Sequence, residues 1–167
     1  RLLCAVREGD WGVTGLNTAI ERELIARKRL VKDGPWYAGR PVMVTRNDSA
    51  LGVFNGDIGI TLPSPDGLLR VYFLDGDQLR SVGVARLAHI ETAFAMTVHK
   101  SQGSEFTHAA LVLPAYGGSV LGRELVYTGI TRAKAQCTVF TQHPKVLAQA
   151  LAQPTQRHSG LLEFFDS

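Results

Sequence analysis

The sequence feature that most constrains the fold is an apolar run that leads directly into a dense string of polar groups. Residues 93–96 are apolar and typical of a buried strand, and TVHKSQGSEF follows from Thr97 to Phe106. A polar loop at the carboxyl end of a strand is where α/β sheets bind their ligands. Because a purely structural loop rarely needs so many hydroxyl, imidazole, ammonium and amide groups, this segment predicts a phosphate-gripping site on an α/β sheet.

Strand-like and helical patterns alternate along both ends of the chain. Short apolar runs typical of buried strands lie at residues 2–6, 93–98, 109–113 and 136–141. Apolar residues at helical spacing predict helices at residues 15–32, 122–132 and 144–152. Thr14 is the predicted N-cap of the first helix. Strands that alternate with helices in this way predict a mainly parallel sheet.

Between residues 36 and 89 the strand-like runs are shorter and turn signals are more frequent. The predicted strands lie at residues 41–45, 58–62, 69–74 and 79–84. Asn55-Gly56 is typical of a tight turn that needs positive φ. Short strands at this spacing predict a small β-barrel of about fifty residues. We therefore expect an α/β domain formed by residues 1–34 and 90–167 and interrupted by a barrel at residues 35–89.

The composition is that of an ordinary globular chain. Among 167 residues, 45% are hydrophobic and 20% are charged, and the formal net charge is +3. This mild basicity permits a polyanionic partner without demonstrating one. No apolar run approaches the roughly 20 residues that span a bilayer, so we expect no membrane partner. The chain begins in strand-like sequence without an initiator Met, and we expect it to be part of a longer protein.

Two cysteines, Cys4 and Cys137, fall in apolar, strand-like runs. A free cysteine in such a run behaves as a small buried apolar side chain. Disulfides are rare in the reducing cytoplasm. We therefore predict two reduced, buried thiols, with neither a disulfide nor a metal site.

Several side chains of the first polar string are candidates for phosphate contact. Thr97 and His99 are two residues apart and therefore point to the same side of an extended chain. Lys100 adds positive charge, Ser101 adds a hydroxyl, and Gly103 lets a ligand approach the backbone closely. His99 taken alone is better explained as a packed core histidine. The whole string is harder to explain by structure alone.

A second polar segment, RELVYTGITRAK, runs from Arg123 to Lys134 and begins seventeen residues after the first ends. Tyr127, Thr131 and Arg132 lie on or just beyond its predicted helix. The Arg132 guanidinium offers planar donors that suit phosphate oxygens, and against a γ-phosphate it would stabilise charge that develops during transfer. Were this segment alone, a surface ion pair or a cation at a helix end would be the preferred explanation.

The sequence lacks the parts that normally bind the phosphates and metal of ATP. It contains no G-x-x-x-x-G-K-[ST] loop, no Gly-Lys dipeptide and no apolar strand that ends in Asp-Glu. The chain therefore cannot build a P-loop ATPase site by itself, although it can supply one side of such a site.

The two polar segments resemble conserved motifs of a known superfamily. TVHKSQGSEF looks like motif V, and RELVYTGITRAK looks like motif VI, of superfamily-1 helicases. The segments Arg1–Asn17 and Gly39–Ile60, and SGLLEFF at residues 159–165, resemble the carboxyl-terminal part of the RecD family, the alpha subunits of exodeoxyribonuclease V. The resemblance covers essentially the whole chain.

This resemblance implies the second RecA-like motor domain, of P-loop NTPase type, with an inserted SH3-like barrel. It implies an ATP-dependent 5′-to-3′ DNA helicase and translocase of the bacterial cytoplasm, acting in DNA repair and recombination. The implied partners are single-stranded DNA at duplex ends, the RecB and RecC subunits, and an N-terminal RecA-like domain of the same chain. That absent domain would bind most of the ATP and Mg²⁺, so the chain alone should be inactive.

The resemblance also implies a role for individual residues. The motif V residues implied to face the DNA backbone are Thr97, His99, Lys100 and Ser101. The residues implied to lie toward the nucleotide are Gly103, Glu105, Thr131 and Arg132. Arg132 would be the catalytic γ-phosphate finger, with Thr131 and Tyr127 as its supports.

Two alternative functions remain open from the sequence. One is a related motor, such as a conjugative relaxase-helicase or an RNA helicase, because these share similar motifs V and VI. The other is a non-catalytic module that binds DNA or docks to a subunit, which the missing P-loop favours.

Overall fold

The computed structural model describes residues 1–115 and 121–152, and nine strands in these ranges form two separate sheets. The strands are β1 Leu2–Cys4, β2 Pro41–Val44, β3 Ile58–Pro63, β4 Leu69–Asp75, β5 Gln78–Gly83, β6 Ile90–Thr92, β7 Ala95–Thr97, β8 Phe106–Val112 and β9 Ala133–Phe140. The α-helices are α1 Val13–Ala26, α2 Arg123–Ile130 and α3 Pro144–Ala152. The closing segment 159–165 lies outside the described residues.

The first sheet has four parallel strands in the order β7-β1-β8-β9. In its register Cys4 at the end of β1 lies opposite both Thr97 of β7 and Val112 of β8. The carboxyl ends of these strands therefore meet at one edge of the sheet. The polar string follows β7 at that edge, as the sequence predicted, and the predicted parallel α/β sheet is confirmed.

Helices cover both faces of the parallel sheet. Side chains that alternate along a strand point to opposite faces. Leu3 and Met96 pack in a cluster that contains residues of α2 and α3, whereas Cys4 and Ala95 pack with Val13 of α1. The apolar alternation of β1 and β7 therefore fixes α1 on one face and the other two helices on the opposite face.

Helix α1 begins and ends earlier than the sequence predicted. Its N-cap is Gly12, and its first two amides donate hydrogen bonds to the backbone oxygens of Val6 and Arg7. Because backbone carbonyls already satisfy these amides, no side-chain cap at Thr14 is needed, and that prediction is wrong. The helix ends at Ala26, and Lys28 has a positive φ of 55° that a continuing helix cannot accommodate.

The second sheet has five antiparallel strands in the order β5-β4-β3-β2-β6. The four predicted strands are present, and Gly56 in the predicted turn has a φ of 99°. Strand β6 pairs with β2, so this sheet extends three residues beyond the expected boundary at residue 89. Val82 of β5 and Ile90 of β6 join one apolar cluster with Phe73, so the sheet curls around a single core.

The two sheets are joined by a link of two residues, Ala93 and Phe94, between β6 and β7. Met43 of β2 packs in the core of the parallel sheet, which ties the sheets together a second time. No helix in the described ranges is long and apolar enough to cross a membrane.

The two thiols lie in different environments. Cys4 is fully buried in β1, and burial raises the pKa of its thiol to about 12. Cys137 is exposed, so the prediction that both thiols are buried is wrong. Strand β9 is an edge strand of its sheet, and four consecutive residues around Cys137 are exposed. An apolar run at a sheet edge lacks the second neighbour that would cover it.

Candidate functional site

The polar string after β7 folds into a 3₁₀ turn, His99–Ser101, that its own side chains stabilise. The Thr97 hydroxyl accepts a hydrogen bond from the Lys100 amide at 3.2 Å. Ser101 is fully buried, and its hydroxyl donates to the Val98 carbonyl oxygen at 2.6 Å. In this arrangement Thr97 and Ser101 shape the turn. A direct contact between the Ser101 hydroxyl and a phosphate would require the turn to open.

The next part of the string faces solvent. His99, Gln102 and Gly103 are exposed. Gly103 has a φ of 81°, and a Cβ placed there would have no neighbouring atom within 4 Å. Glycine is therefore needed for its backbone conformation, and the open space lets a ligand reach the backbone. The exposure of His99 does not fit a packed core histidine.

Lys100 points back across the carboxyl edge of the sheet. Its ammonium lies 2.5 Å from Oε1 of Glu91, a residue of β6 in the antiparallel sheet. The other carboxylate oxygen of Glu91 accepts a hydrogen bond from Arg7 Nη2 at 2.8 Å. One carboxylate therefore joins two cations from two different loops of the parallel sheet. This bridge was not predicted from the sequence, because Arg7 lies 84 residues from Glu91 and only the fold brings the two together.

Arg132 follows α2 and makes three long hydrogen bonds to neutral oxygens. Its Nε donates to the Thr128 carbonyl at 3.2 Å, and its Nη1 donates to the Ser104 carbonyl at 3.3 Å. Its Nη2 donates to the Thr131 hydroxyl, also at 3.3 Å. The backbone supports this position, because the Arg132 carbonyl accepts from the Phe106 amide at 2.8 Å. The guanidinium thus lies between the end of α2 and the end of the polar string.

Helix α2 packs closely on β8 and on the start of the turn that carries the polar string. A Cβ on Gly129 would lie 2.9 Å from Cδ1 of Leu111 in β8 and 3.5 Å from Cγ2 of Val98. Only a glycine lets the helix axis approach this closely. The glycine of the second polar segment therefore brings that segment into contact with the first.

The remaining predicted residues lie at the surface. Tyr127 on α2 is 69% exposed. Glu105 forms an exposed ion pair with Lys134, with 3.3 Å between the charged atoms. The structure therefore brings Arg132 and Thr131 together with the polar string, whereas Tyr127 is directed to solvent. Within the described residues, no group of three His, Cys, Asp or Glu side chains is placed to hold a metal ion.

A comparison with protein families finds a match within the second half of the chain. Residues 92–140 match the family described as the UvrD-like helicase C-terminal domain. These residues include both polar segments and Arg132. A solved structure of a Pif1 helicase from Bacteroides, in complex with ADP-AlF3 and single-stranded DNA, matches 99% of this chain and 44% of that chain. Its TM-score is 0.57 at 17% identity, so this likeness concerns the fold.

The curated relatives match nearly the full chain. The RecBCD enzyme subunit RecD of Haemophilus influenzae is 43% identical over 163 residues, which are 96% of this chain and 24% of that protein. RecD of Mycobacterium tuberculosis is 42% identical over 161 residues, 96% of this chain and 28% of that protein. The ATP-dependent RecD2 DNA helicase of Deinococcus radiodurans is 31% identical over 165 residues, 98% of this chain and 23% of that protein.

The part of the chain that holds the two packed polar segments is similar to the UvrD-like helicase C-terminal domain, and the fold is similar to that of a Pif1 helicase. Within that class, the similarity over 96% of the chain shows that it belongs to the RecD family. The chain spans about a quarter of the length of the curated relatives that it matches.

Proposed function

We propose that this chain is the second motor half of an ATP-dependent DNA helicase and translocase that moves 5′ to 3′. The observation that carries this proposal is the contact of Arg132, in the motif VI-like segment, with Ser104 of the motif V-like string. Its three internal hydrogen bonds are 3.2 to 3.3 Å long. These lengths lie at or just beyond the long end of the usual range of about 2.7–3.2 Å, and the acceptors are uncharged. A phosphate oxygen would form a shorter, charge-assisted bond and would replace them readily.

In this proposal Arg132 contacts the γ-phosphate of ATP and closes the cleft between two motor domains. Its contact with the Ser104 carbonyl transmits that movement to the polar string. The close approach of helix α2 to Val98 at Gly129, where an added Cβ would lie 3.5 Å from Val98 Cγ2, gives a second path to the same turn. The turn then changes its grip on single-stranded DNA through Thr97, His99 and Lys100. Such a grip acts mainly on phosphates, so it is largely independent of sequence.

The rest of the motor lies outside this chain in our proposal. An N-terminal RecA-like domain supplies the P-loop and most contacts to ATP and Mg²⁺, and Gly103, Glu105 and Thr131 face the nucleotide from this side. The second motor domain comprises residues 1–34 and the part of the chain after residue 92, and the SH3-like barrel comprises residues 35–92, because β6 pairs within the antiparallel sheet. The names of the relatives support assembly with RecB and RecC. The intact enzyme would repair and recombine DNA from duplex ends in the bacterial cytoplasm.

Substitution of Arg132 in the intact protein tests the finger assignment. We expect Arg132→Ala to lower DNA-stimulated ATP turnover by about 10³-fold or more, the effect typical of a lost arginine finger. Arg132→Lys should recover little of this loss, since an ammonium lacks the planar fork. Arg123→Ala is the matched control, because it removes an exposed arginine at the start of the same helix. ATP turnover within twofold of the wild type in Arg132→Ala would refute the assignment.

The isolated chain gives a complementary test. Without a P-loop we expect it to bind single-stranded DNA weakly and to hydrolyse no ATP. Turnover that disappears in Arg132→Ala would show that the chain needs no partner domain, and would overturn the two-domain proposal.

A further inference from the structure

Glu91 forms ion pairs with two cations at the edge of the parallel sheet where we propose that single-stranded DNA binds. Its carboxylate accepts from Lys100 Nζ at 2.5 Å through one oxygen and from Arg7 Nη2 at 2.8 Å through the other. Arg7 follows β1 and Lys100 follows β7, and these strands are neighbours with their carboxyl ends aligned. Both cations therefore belong to one edge, although the carboxylate that holds them comes from the other sheet.

The carboxylate is fully charged at neutral pH and largely shielded from water. Its side chain is 18% exposed, compared with 32% for Lys100 and 55% for Arg7. Burial raises the pKa of Glu91, but the hydrogen bonds from Lys100 and Arg7 outweigh burial and leave that pKa below its ordinary value. One negative charge thus offsets part of the positive charge that this edge would otherwise present.

The backbone beside Glu91 is held firmly, so Glu91 cannot leave this edge by a backbone shift. The carbonyl oxygen of Thr92 accepts from Asn17 Nδ2 at 3.0 Å, and the Thr92 hydroxyl accepts from Arg40 Nη2 at 2.9 Å. The cations, in contrast, sit at the ends of long and partly exposed side chains. An incoming anion would therefore draw Arg7 and Lys100 away from Glu91, while Glu91 stays in place.

We propose that Arg7 and Lys100 form a phosphate-binding pair for single-stranded DNA, and that Glu91 masks this pair until the DNA backbone displaces it. This inference rests on the proposed function of the polar string as a DNA grip, and it adds Arg7 to that grip. Arg7 and Glu91 also line an open polar cleft of about 220 Å³ beside α1, together with Thr14, Thr18 and Glu21. The cleft gives a phosphodiester group access to the Arg7 side of the masked pair.

A DNA strand can displace Glu91 from Arg7 and Lys100 because it carries many phosphates. A carboxylate and a single phosphodiester each carry one negative charge, so one phosphate alone has little advantage. Along a strand, each additional cation that engages a phosphate releases condensed counterions, and this release favours binding at low salt. The masked pair is therefore selective for a polyanion, and small anions should displace Glu91 poorly.

The salt dependence of DNA binding tests the inference. We expect Glu91→Gln in the intact protein, without nucleotide, to bind an oligothymidylate more tightly at low salt than the wild type. The slope of log K against log salt should stay close to that of the wild type, because Arg7 and Lys100 engage phosphates in both complexes and only the competition from Glu91 is removed. Glu23→Gln is the matched control, since it removes the same charge from an exposed ion pair with Arg27.

Arg7→Gln gives a test that does not depend on the stability of Glu91→Gln, because Arg7 is exposed. We expect a slope about 0.7 shallower than that of the wild type. A slope in Arg7→Gln equal to that of the wild type, with normal DNA binding by the wild type, would overturn the masked pair alone. Weaker binding in Glu91→Gln would also overturn it, since Glu91 would then support the grip directly. Absence of DNA binding by the wild type would instead refute the proposed function.

Discussion

The side chain of Asn17 forms two hydrogen bonds with the backbone of Ala95. Its Oδ1 accepts from the Ala95 amide at 2.9 Å, and its Nδ2 donates to the Ala95 carbonyl at 3.2 Å. The same Nδ2 donates to the Thr92 carbonyl at 3.0 Å. Helix α1 therefore holds both ends of the link between the antiparallel and the parallel sheet.

Removal of this buried amide should destabilise the fold. Asn17→Ala leaves the Ala95 amide and two carbonyl oxygens without their partner, and a buried unpaired group costs about 1–3 kcal/mol. We expect a loss of about 2 kcal/mol in the free energy of unfolding, measured by urea denaturation with an unchanged slope. Thr18→Ala, at the exposed neighbouring position, should cost less than about 0.5 kcal/mol. Equal costs for the two variants would show that the Asn17 contacts carry no stability.

Gly129→Ala should destabilise the protein although alanine is the better helix former. The new Cβ would lie 2.9 Å from Cδ1 of Leu111, and Leu111 is fully buried and cannot move aside freely. Overpacking of this kind typically costs about 1–3 kcal/mol, which outweighs a gain of about 1 kcal/mol in helix propensity.

The control for this prediction is Gly83→Ala, because a Cβ at Gly83 meets no atom within 4 Å and the residue has a φ of −62°. Thermal unfolding of the two variants gives the comparison. A higher unfolding temperature for Gly129→Ala than for the wild type would contradict the prediction, because the helix would then accommodate the new Cβ without a loss of stability.

The two thiols should differ sharply in reactivity. Cys137 is exposed, whereas Cys4 is fully buried and has a pKa raised to about 12 by burial. The thiolate is the reactive form, so Cys4 should be inert in the folded protein. Titration of this 167-residue chain with a disulfide reagent at pH 8 should therefore modify one thiol before unfolding and two in guanidinium chloride. Cys137→Ser should remove the early reaction, and rapid reaction of that variant would contradict the structure.

Acid should reduce the contribution of Glu91 to stability. Its pKa in the folded protein lies below the ordinary value of 4.5, despite the opposing effect of burial, because Lys100 and Arg7 stabilise the charged form. A group with a lowered folded-state pKa stabilises the fold above its ordinary pKa, and this contribution disappears as pH falls through the folded-state pKa.

The difference in unfolding free energy between the wild type and Glu91→Gln should therefore be constant near neutral pH and shrink below about pH 4.5. Urea denaturation at a series of pH values measures this difference. Glu23→Gln, in an exposed pair, should differ little from the wild type throughout. A difference for Glu91→Gln that stays constant down to pH 3 would exclude a lowered pKa.

Local sequence patterns predicted much of the fold. Helix α3 has the predicted bounds, and the four predicted strands of the second sheet are present within one residue at each end. The parallel sheet followed from strands that alternate with helices, and this was confirmed. Such elements are specified by apolar spacing and turn residues, which are read from neighbouring positions.

The features that the sequence did not predict depend on contacts between distant residues. Strand β6, Ile-Glu-Thr, has no apolar run, and only its pairing with β2 makes it a strand. The exposure of Cys137 follows from the edge position of β9. Within the site, residue types pointed to Arg132 and Lys100. The acceptors of these side chains, Ser104 and Glu91, are set by the packing of separate segments.

The connections into and out of the antiparallel sheet differ greatly in length. Fourteen residues lead from α1 into β2, whereas two residues lead from β6 into β7. A force applied to the antiparallel sheet would reach the parallel sheet first through the shorter link. That link continues through β7 into the turn His99–Ser101. A load on the antiparallel sheet would therefore pull directly on β7, the strand that precedes the turn His99–Ser101.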